Sequence, residues 1–224
     1  MKQVVLHLNE VHNMNKKIAI VAVNGKAGKK IAEEAVNRGF DVTGFGRHTN
    51  DTAAQHYVKK DLFDLTKEDL AGFDAVVDAF GAFTPETLPL HTTSLMHLAD
   101  LVAGTDTRLL VVGGAGSLYV DKDHTTHLSE TPDFPDAFKP LATAMGEALD
   151  KLRERNDVNW TYLSPAADFQ ADGAKTGKYI LGGEELTLNP AGESVISYAD
   201  YAVAMVDEIE KGTHNKERIS VVKA

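Results

Sequence analysis

Between residues 18 and 28 the chain runs Ile-Ala-Ile-Val-Ala-Val-Asn-Gly-Lys-Ala-Gly, and no other stretch limits its fold as sharply. A short apolar run of β-forming residues breaks at Asn24-Gly25. After Gly28 a helical pattern begins, with Ile31, Ala32, Ala35 and Val36 on one face and Gly39 as its stop. A strand that turns abruptly into a helix opens a βαβ unit, and such a turn aims backbone N–H groups and a helix N-terminus at a bound diphosphate. Ala22 stands where the first glycine of a G-x-G-x-x-G turn belongs. Gly25 would let the chain approach a diphosphate, and Gly28 would let the helix pack close to the sheet. Ala22 permits the tight turn unless that position needs a positive φ, which is costly for alanine.

Strand and helix patterns alternate from there on. Residues 41–45, 56–60, 75–80, 109–112 and 160–163 read as strands, and 109–112 is apolar throughout, as a parallel strand covered on both faces should be. Helices are expected over 90–103 and 140–155, and Thr66 to Asp69 resembles a capping box opening a short one. The period then changes. Residues 178–188, with Gly182-Gly183 between two extended runs, read as a β-hairpin. Ser197 to Asp200 reads as a second capping box, leading a helix through Glu210 and then a last strand at 218–222. The expectation is an α/β, Rossmann-like, doubly wound and mostly parallel sheet. It would form one domain over residues 16–224, with a small C-terminal cap at about 168–195 that contains the hairpin. Residues 1–15 read as a loosely attached extension, with Met14 placed like an alternative start.

Charge and composition remove several partners. Twenty-three Lys and Arg against 33 Asp and Glu leave a formal charge of −10, which disfavours nucleic acid or an anionic membrane. No apolar run approaches the roughly 20 residues of a membrane span, and Val4-Val5-Leu6 is too short for a signal-peptide core. The absence of cysteine rules out disulfides, thiol nucleophiles and Cys-ligated zinc, and fits a cytoplasmic protein.

The end of the second strand helps to discriminate between nucleotides. An NAD site usually carries Asp or Glu there to hold the ribose 2′-hydroxyl. Here the sequence is Gly44-Phe45-Gly46-Arg47-His48-Thr49, with no carboxylate before Asp51. A guanidinium at position 47 suits a 2′-phosphate, so NADP(H) is favoured over NAD(H).

With the turn ending in Asn24 to Gly28, Arg47, Lys60-Asp-Leu-Phe-Asp64 and Asp78-Ala-Phe-Gly81, the chain resembles the atypical short-chain dehydrogenase/reductase proteins of the NAD(P)H-binding type. These are often called NADH-flavin reductases, and biliverdin reductase B and NmrA-like proteins are more distant relatives. The resemblance continues through Val111 to Leu118, Trp160 to Ala166, Thr176 to Tyr179 and Ile196 to Asp200. That group usually has Gly at position 22 and Thr at 24. The resemblance implies that Asn24, Gly25, Lys26, Ala27 and Gly28 line the diphosphate and that Arg47 lies near the adenosine ribose. Asp61 and Leu62 would border the adenine, and Ala79, Phe80 and Gly81 the nicotinamide-side ribose. Gly114 to Ser117 and Ser164-Pro165-Ala166 would frame the nicotinamide and its acceptor.

The chemistry is narrowed by what is missing. Alcohol dehydrogenation in short-chain enzymes needs a Tyr-x-x-x-Lys pair for proton transfer. The residues four beyond each tyrosine are Asp61, Asp123, Ala166, Gly183, Ala202 and Met205. Sugar epimerisation is disfavoured for the same reason. Hydride transfer to a free flavin or a similarly flat, quinone-like acceptor asks mainly for stacking and orientation, with the flavin a substrate rather than a tightly bound cofactor. Ser117 is the candidate polar contact at the reacting end, although a serine there could equally bond its own turn. A non-catalytic NADP(H) sensor of the NmrA-like kind is the alternative. Phe134, Phe138, Phe169 and Tyr179 could line a planar acceptor or simply pack the cap. His124 and His127 do not have the spacing of a helix-borne ligand pair, so no metal is expected.

Overall fold

The structure, a computed structural model, describes residues 16–224; the extension at 1–15 lies outside the described residues. Alternate side chains of the first strand, β1 (Lys17–Val21), go to opposite faces, Ile18 and Ile20 into one core and Ala19 and Val21 into another. A strand buried on both sides requires helices on both sides.

The chain continues through β2 (Asp41–Gly46), β3 (His56–Lys59), β4 (Ala75–Asp78), β5 (Arg108–Val112), β6 (Asn159–Ser164), β7 (Asp168–Gln170), β8 (Tyr179–Gly182), β9 (Val195–Ser197) and β10 (Glu217–Lys223). The helices are α1 (Lys26–Asn37), α2 (Lys67–Leu70), α3 (Leu90–Val102), α4 (Lys139–Arg153) and α5 (Tyr198–Lys211). Helices α1 and α5 cover the Ile18 face, with Ile31, Ala35, Tyr201 and Met205 in its core. Helices α3 and α4 cover the Ala19 face, with Leu95, Leu98, Leu149 and Leu152. Thr66 and Asp69 form the expected capping box in full.

The sheet order is β3-β2-β1-β4-β5-β6-β10-β8. All neighbours are parallel except β8, which runs antiparallel to β10. The chain winds outward from β1 to β3, returns to β4 on the other side of β1, and winds outward again. The order reverses between β1 and β4, where Val21 lies opposite Asp78 and Ala79 N donates to Val21 O at 3.0 Å. Segments leaving the two strands therefore diverge at a crevice, where open α/β sheets place ligands.

The expected hairpin at 178–188 does not form. Residues 179–182 pair instead with β10, Ile180 opposite Val222, while Glu185 bridges to Tyr119. Two physical reasons are visible. The outer edge of β10 offers β8 a ladder, and the Glu184 carboxylate is drawn to Arg218, 3.0 Å from its Nε. The cap instead contains a small parallel pair, β7 with β9. The second capping box is half formed: Ser197 Oγ accepts from Asp200 N at 3.0 Å. The buried Asp200 carboxylate turns instead to the cap loop, accepting from Thr176 N and Gly177 N at 2.8 Å each and from Thr176 Oγ1 at 2.7 Å.

Candidate functional site

The turn after β1 has the geometry of an anion cradle. Ala22 adopts φ 60°, the left-handed region that its position would ordinarily assign to glycine. A Cβ at Gly28 would lie 2.8 Å from Val23 O and 2.9 Å from Ala22 O, so only glycine lets α1 start this close to the turn. A Cβ at Gly25 would meet nothing nearer than 3.6 Å, leaving the surface above the turn open. Among the described residues no side chain caps α1 at Gly25, and its first turn carries no acidic residue. The first-turn N–H groups and the positive end of the helix dipole are thus available to a diphosphate. Residues 25–28 fit that group. Lys26 is exposed beside them.

Asn24 does something different from its neighbours in the turn. Its side-chain amide is directed at the loop after β2: Nδ2 donates to Thr49 O at 3.0 Å and to Asp51 Oδ1 at 2.8 Å, while Oδ1 faces Tyr57 OH at 2.9 Å. The Tyr57 hydroxyl is also 2.5 Å from His48 O. A Cβ at Gly46 would fall 2.0 Å from Asn24 Oδ1, so any side chain there would push the Asn24 amide out of this position. Asp51 further pairs with Lys29 Nζ at 2.7 Å. The Lys29 ammonium, with help from the Asn24 amide, holds the Asp51 carboxyl below the usual carboxylate range. Arg47 projects from this clamped loop, exposed, and among the described residues no carboxylate pairs with it. Asp61 caps the short 3-10 turn at 62–64 by accepting from Phe63 N at 2.9 Å, and Leu62 is buried behind it.

At the other end of the crevice, Ala79, Phe80 and Gly81 leave β4. Phe80 N donates to Asp78 Oδ1 at 2.9 Å, and the Phe80 ring meets the His91 ring edge to face. Asp78 is buried, and burial pushes its carboxyl up to about 6 against the pull of the Phe80 N–H. It lines a small cavity of about 20 Å³ together with His91, Ser94, Met145 and Tyr162, a volume that would hold about one water. The Tyr162 hydroxyl accepts from Gly114 N at 3.0 Å, and a Cβ at Gly113 would fall 2.1 Å from the Tyr162 ring. The loop after β5 is therefore seated directly on that ring. Ser117 lies farther along it, with Oγ accepting from Arg218 Nη1 at 2.8 Å and its carbonyl from Nη2 at 3.0 Å. Among the described residues no acceptor takes its hydroxyl proton. Pro165 is buried at the end of β6.

The four aromatic candidates do not meet. Tyr179 reaches Asp207 at 2.5 Å, Phe169 packs on Tyr198 and Tyr201, and Phe138 is exposed at the start of α4, with Phe134 four residues before it. His124 stacks on Tyr119 and pairs with Glu185 at 3.0 Å, and His127 pairs with Glu130 at 3.0 Å. The sequence reading assigns no site role to three residues that shape this end of the crevice: Asp78, Tyr162 and Arg218. A lone carboxylate ending the apolar run Ala75-Val76-Val77 was the available signal for Asp78. The other two act through contacts between distant strands, which no local pattern reveals.

Comparison with known proteins adds a family. A profile described as NAD(P)H-binding matches residues 23–211. SP1627 of Streptococcus pneumoniae TIGR4, a "putative NADH-flavin reductase", superposes with a TM-score of 0.92 at 59% identity, over 93% of this chain and all of that one (100%). YwnB of Bacillus subtilis strain 168, an uncharacterized protein, is 46% identical over 209 residues, 92% of this chain and 98% of that one. A "putative epimerase" of Bacteroides thetaiotaomicron superposes at a TM-score of 0.82 with 34% identity, over 93% of this chain and 97% of that one.

Proposed function

Because the chain belongs to the NAD(P)H-binding family, we propose that it is a reductase passing hydride from NADPH to a free flavin or another flat acceptor of quinone type, in the cytoplasm. The observation that carries this reading is the open, uncapped turn at 22–28, which adjoins the reversal of the sheet and is shaped by a glycine with no room for a Cβ. When bound, the coenzyme supplies the hydride, and solvent supplies the accompanying proton.

In this reading, Gly25, whose N–H donates to Ala22 O, lets the diphosphate approach, backbone N–H groups of Lys26, Ala27 and Gly28 bind it, and Asn24 orders the adjoining loop. Arg47 takes the 2′-phosphate, Asp61 and Leu62 border the adenine, and Ala79, Phe80 and Gly81 pass the nicotinamide-side ribose. The loop at Gly114, seated on Tyr162, and the buried Pro165 form the wall against which two flat rings would stack. Ser117, fixed by Arg218, offers its hydroxyl as a donor to the nicotinamide amide or the acceptor. With no Tyr–Lys proton relay in the sequence, proximity and orientation carry the rate. The name of the pneumococcal relative specifies NADH. Arg47, with no carboxylate ahead of it at the end of β2, supports NADPH for this chain.

Coenzyme oxidation measured with FMN, FAD, riboflavin and quinones tests the reading. Turnover should depend on added acceptor, and purified protein should retain no flavin. Coenzyme binding without turnover on any of these acceptors would overturn the reductase and leave a nucleotide sensor. Arg47→Ala should weaken NADPH about tenfold, the loss of one charge-assisted phosphate contact, and leave NADH nearly unchanged. An equal loss for both coenzymes would remove Arg47 from the 2′-phosphate site.

A further inference from the structure

We propose that Asp51 is a built-in stand-in for the coenzyme's 2′-phosphate: its carboxylate fills an anion site made by Asn24 and Lys29 at the loop that carries Arg47, and NADPH must displace it. The proposal rests on the coenzyme reading above and concerns how that same site chooses between NADPH and NADH.

The two donors that hold Asp51 come from outside its own loop. Oδ1 accepts from Asn24 Nδ2 at 2.8 Å, in the turn, and Oδ2 from Lys29 Nζ at 2.7 Å, in the first turn of α1. The loop is tied back to the same place by Thr49 O on Asn24 Nδ2 and by His48 O against Tyr57 OH. An anion is thus fixed at the point where the end of β2 meets the turn at 22–28, four positions beyond Arg47 on the same loop. Of the cations there, Lys29 is matched by Asp51, while Arg47 has no such partner among the described residues.

A phosphate monoester fits this arrangement better than the carboxylate does. It carries a charge of about −1.5 to −2 and three strong acceptor oxygens, so it can satisfy Lys29 and Arg47 together. The pair being displaced is cheap to open, since the Lys29 and Asp51 side chains are 42% and 54% exposed and such pairs contribute little. NADH presents a hydroxyl at this position and has no anion to exchange. Asp51 therefore opposes NADPH selectively, and Lys29 joins Arg47 in binding it.

Calorimetric titration of wild type, Asp51→Asn and Lys29→Met with NADPH, NADH and 2′-AMP tests the proposal. Asp51→Asn should bind NADPH and 2′-AMP about three- to fivefold more tightly, the scale of one exposed ion pair, with NADH changed less than about twofold. Lys29→Met should weaken NADPH and 2′-AMP by about fivefold and spare NADH. Wild type that binds NADPH while Asp51→Asn binds it no better would overturn the proposal and leave the coenzyme reading standing. Loss of NADH affinity in Asp51→Asn would also overturn it, by making Asp51 a ribose-hydroxyl ligand. Wild type that binds none of the three would end both.

Discussion

Ala22 holds a left-handed backbone at φ 60°, a conformation that costs an L-residue roughly 1–2 kcal/mol. Glycine adopts it freely at some entropic cost in the unfolded chain, so Ala22→Gly should stabilise the protein by about 0.5–1 kcal/mol. For a chain of this size, thermal denaturation should show a rise in Tm of about 1–4 °C; a fall would mean that the Ala22 methyl packs usefully. Asp78 provides a residue-scale test by pH. Its carboxyl titrates at about 6 in the fold against 3.8 when exposed, so between those values the native protein keeps a proton that the unfolded chain has released. Asp78 therefore lowers stability as pH rises through that window, by up to about 3 kcal/mol, and the penalty is absent below it. Asp78→Asn should gain about 1–2 kcal/mol near pH 8 and almost nothing near pH 4 in urea titrations. A gain independent of pH would show that the carboxyl is not the source.

At the scale of elements, the start of α1 and the cap loop each depend on one residue. Gly28→Ala would press a methyl to within 3 Å of two backbone oxygens, which cannot move as a side-chain tip can. The helix must shift outward, at a cost of about 1–3 kcal/mol, and coenzyme affinity should fall with it. Circular dichroism melts paired with a binding titration would read both losses, and normal binding would contradict the cradle. Asp200→Ala would leave Thr176 N and Gly177 N without their acceptor. Amide exchange at those two positions should then accelerate at least tenfold, with a stability loss of about 2–3 kcal/mol. Unchanged protection would mean that the loop is held elsewhere. The strands show why some elements were legible and others not. Residues 109–112 announce a doubly covered strand by being apolar without a break, and Thr66 with Asp69 spells its cap in four letters. Gly182-Gly183 misleads, because the partner of residues 179–182 lies some 40 positions away on β10, and no local pattern marks an open sheet edge. Ser197 to Asp200 likewise looks complete in sequence, while the carboxylate is claimed by Thr176 and Gly177.

Across the whole molecule, the reversal of strand order between β1 and β4 brings the candidate site to one edge of the sheet. The turn at 22–28, the loop carrying Arg47 and the segment at 79–81 all follow C-terminal ends of parallel strands, as the alternating pattern of the sequence implies. The supports behind them were hidden, because Tyr162 under Gly114 and Arg218 on Ser117 join residues 48 and 101 positions apart. The central claim is that the turn at 22–28 wraps a coenzyme diphosphate, and a titration of NADPH into isotope-labelled protein followed by amide NMR tests it directly. The largest shifts should fall on the N–H groups of Lys26, Ala27 and Gly28 and saturate with the binding curve. Saturation of the protein with those three amides unmoved would contradict it.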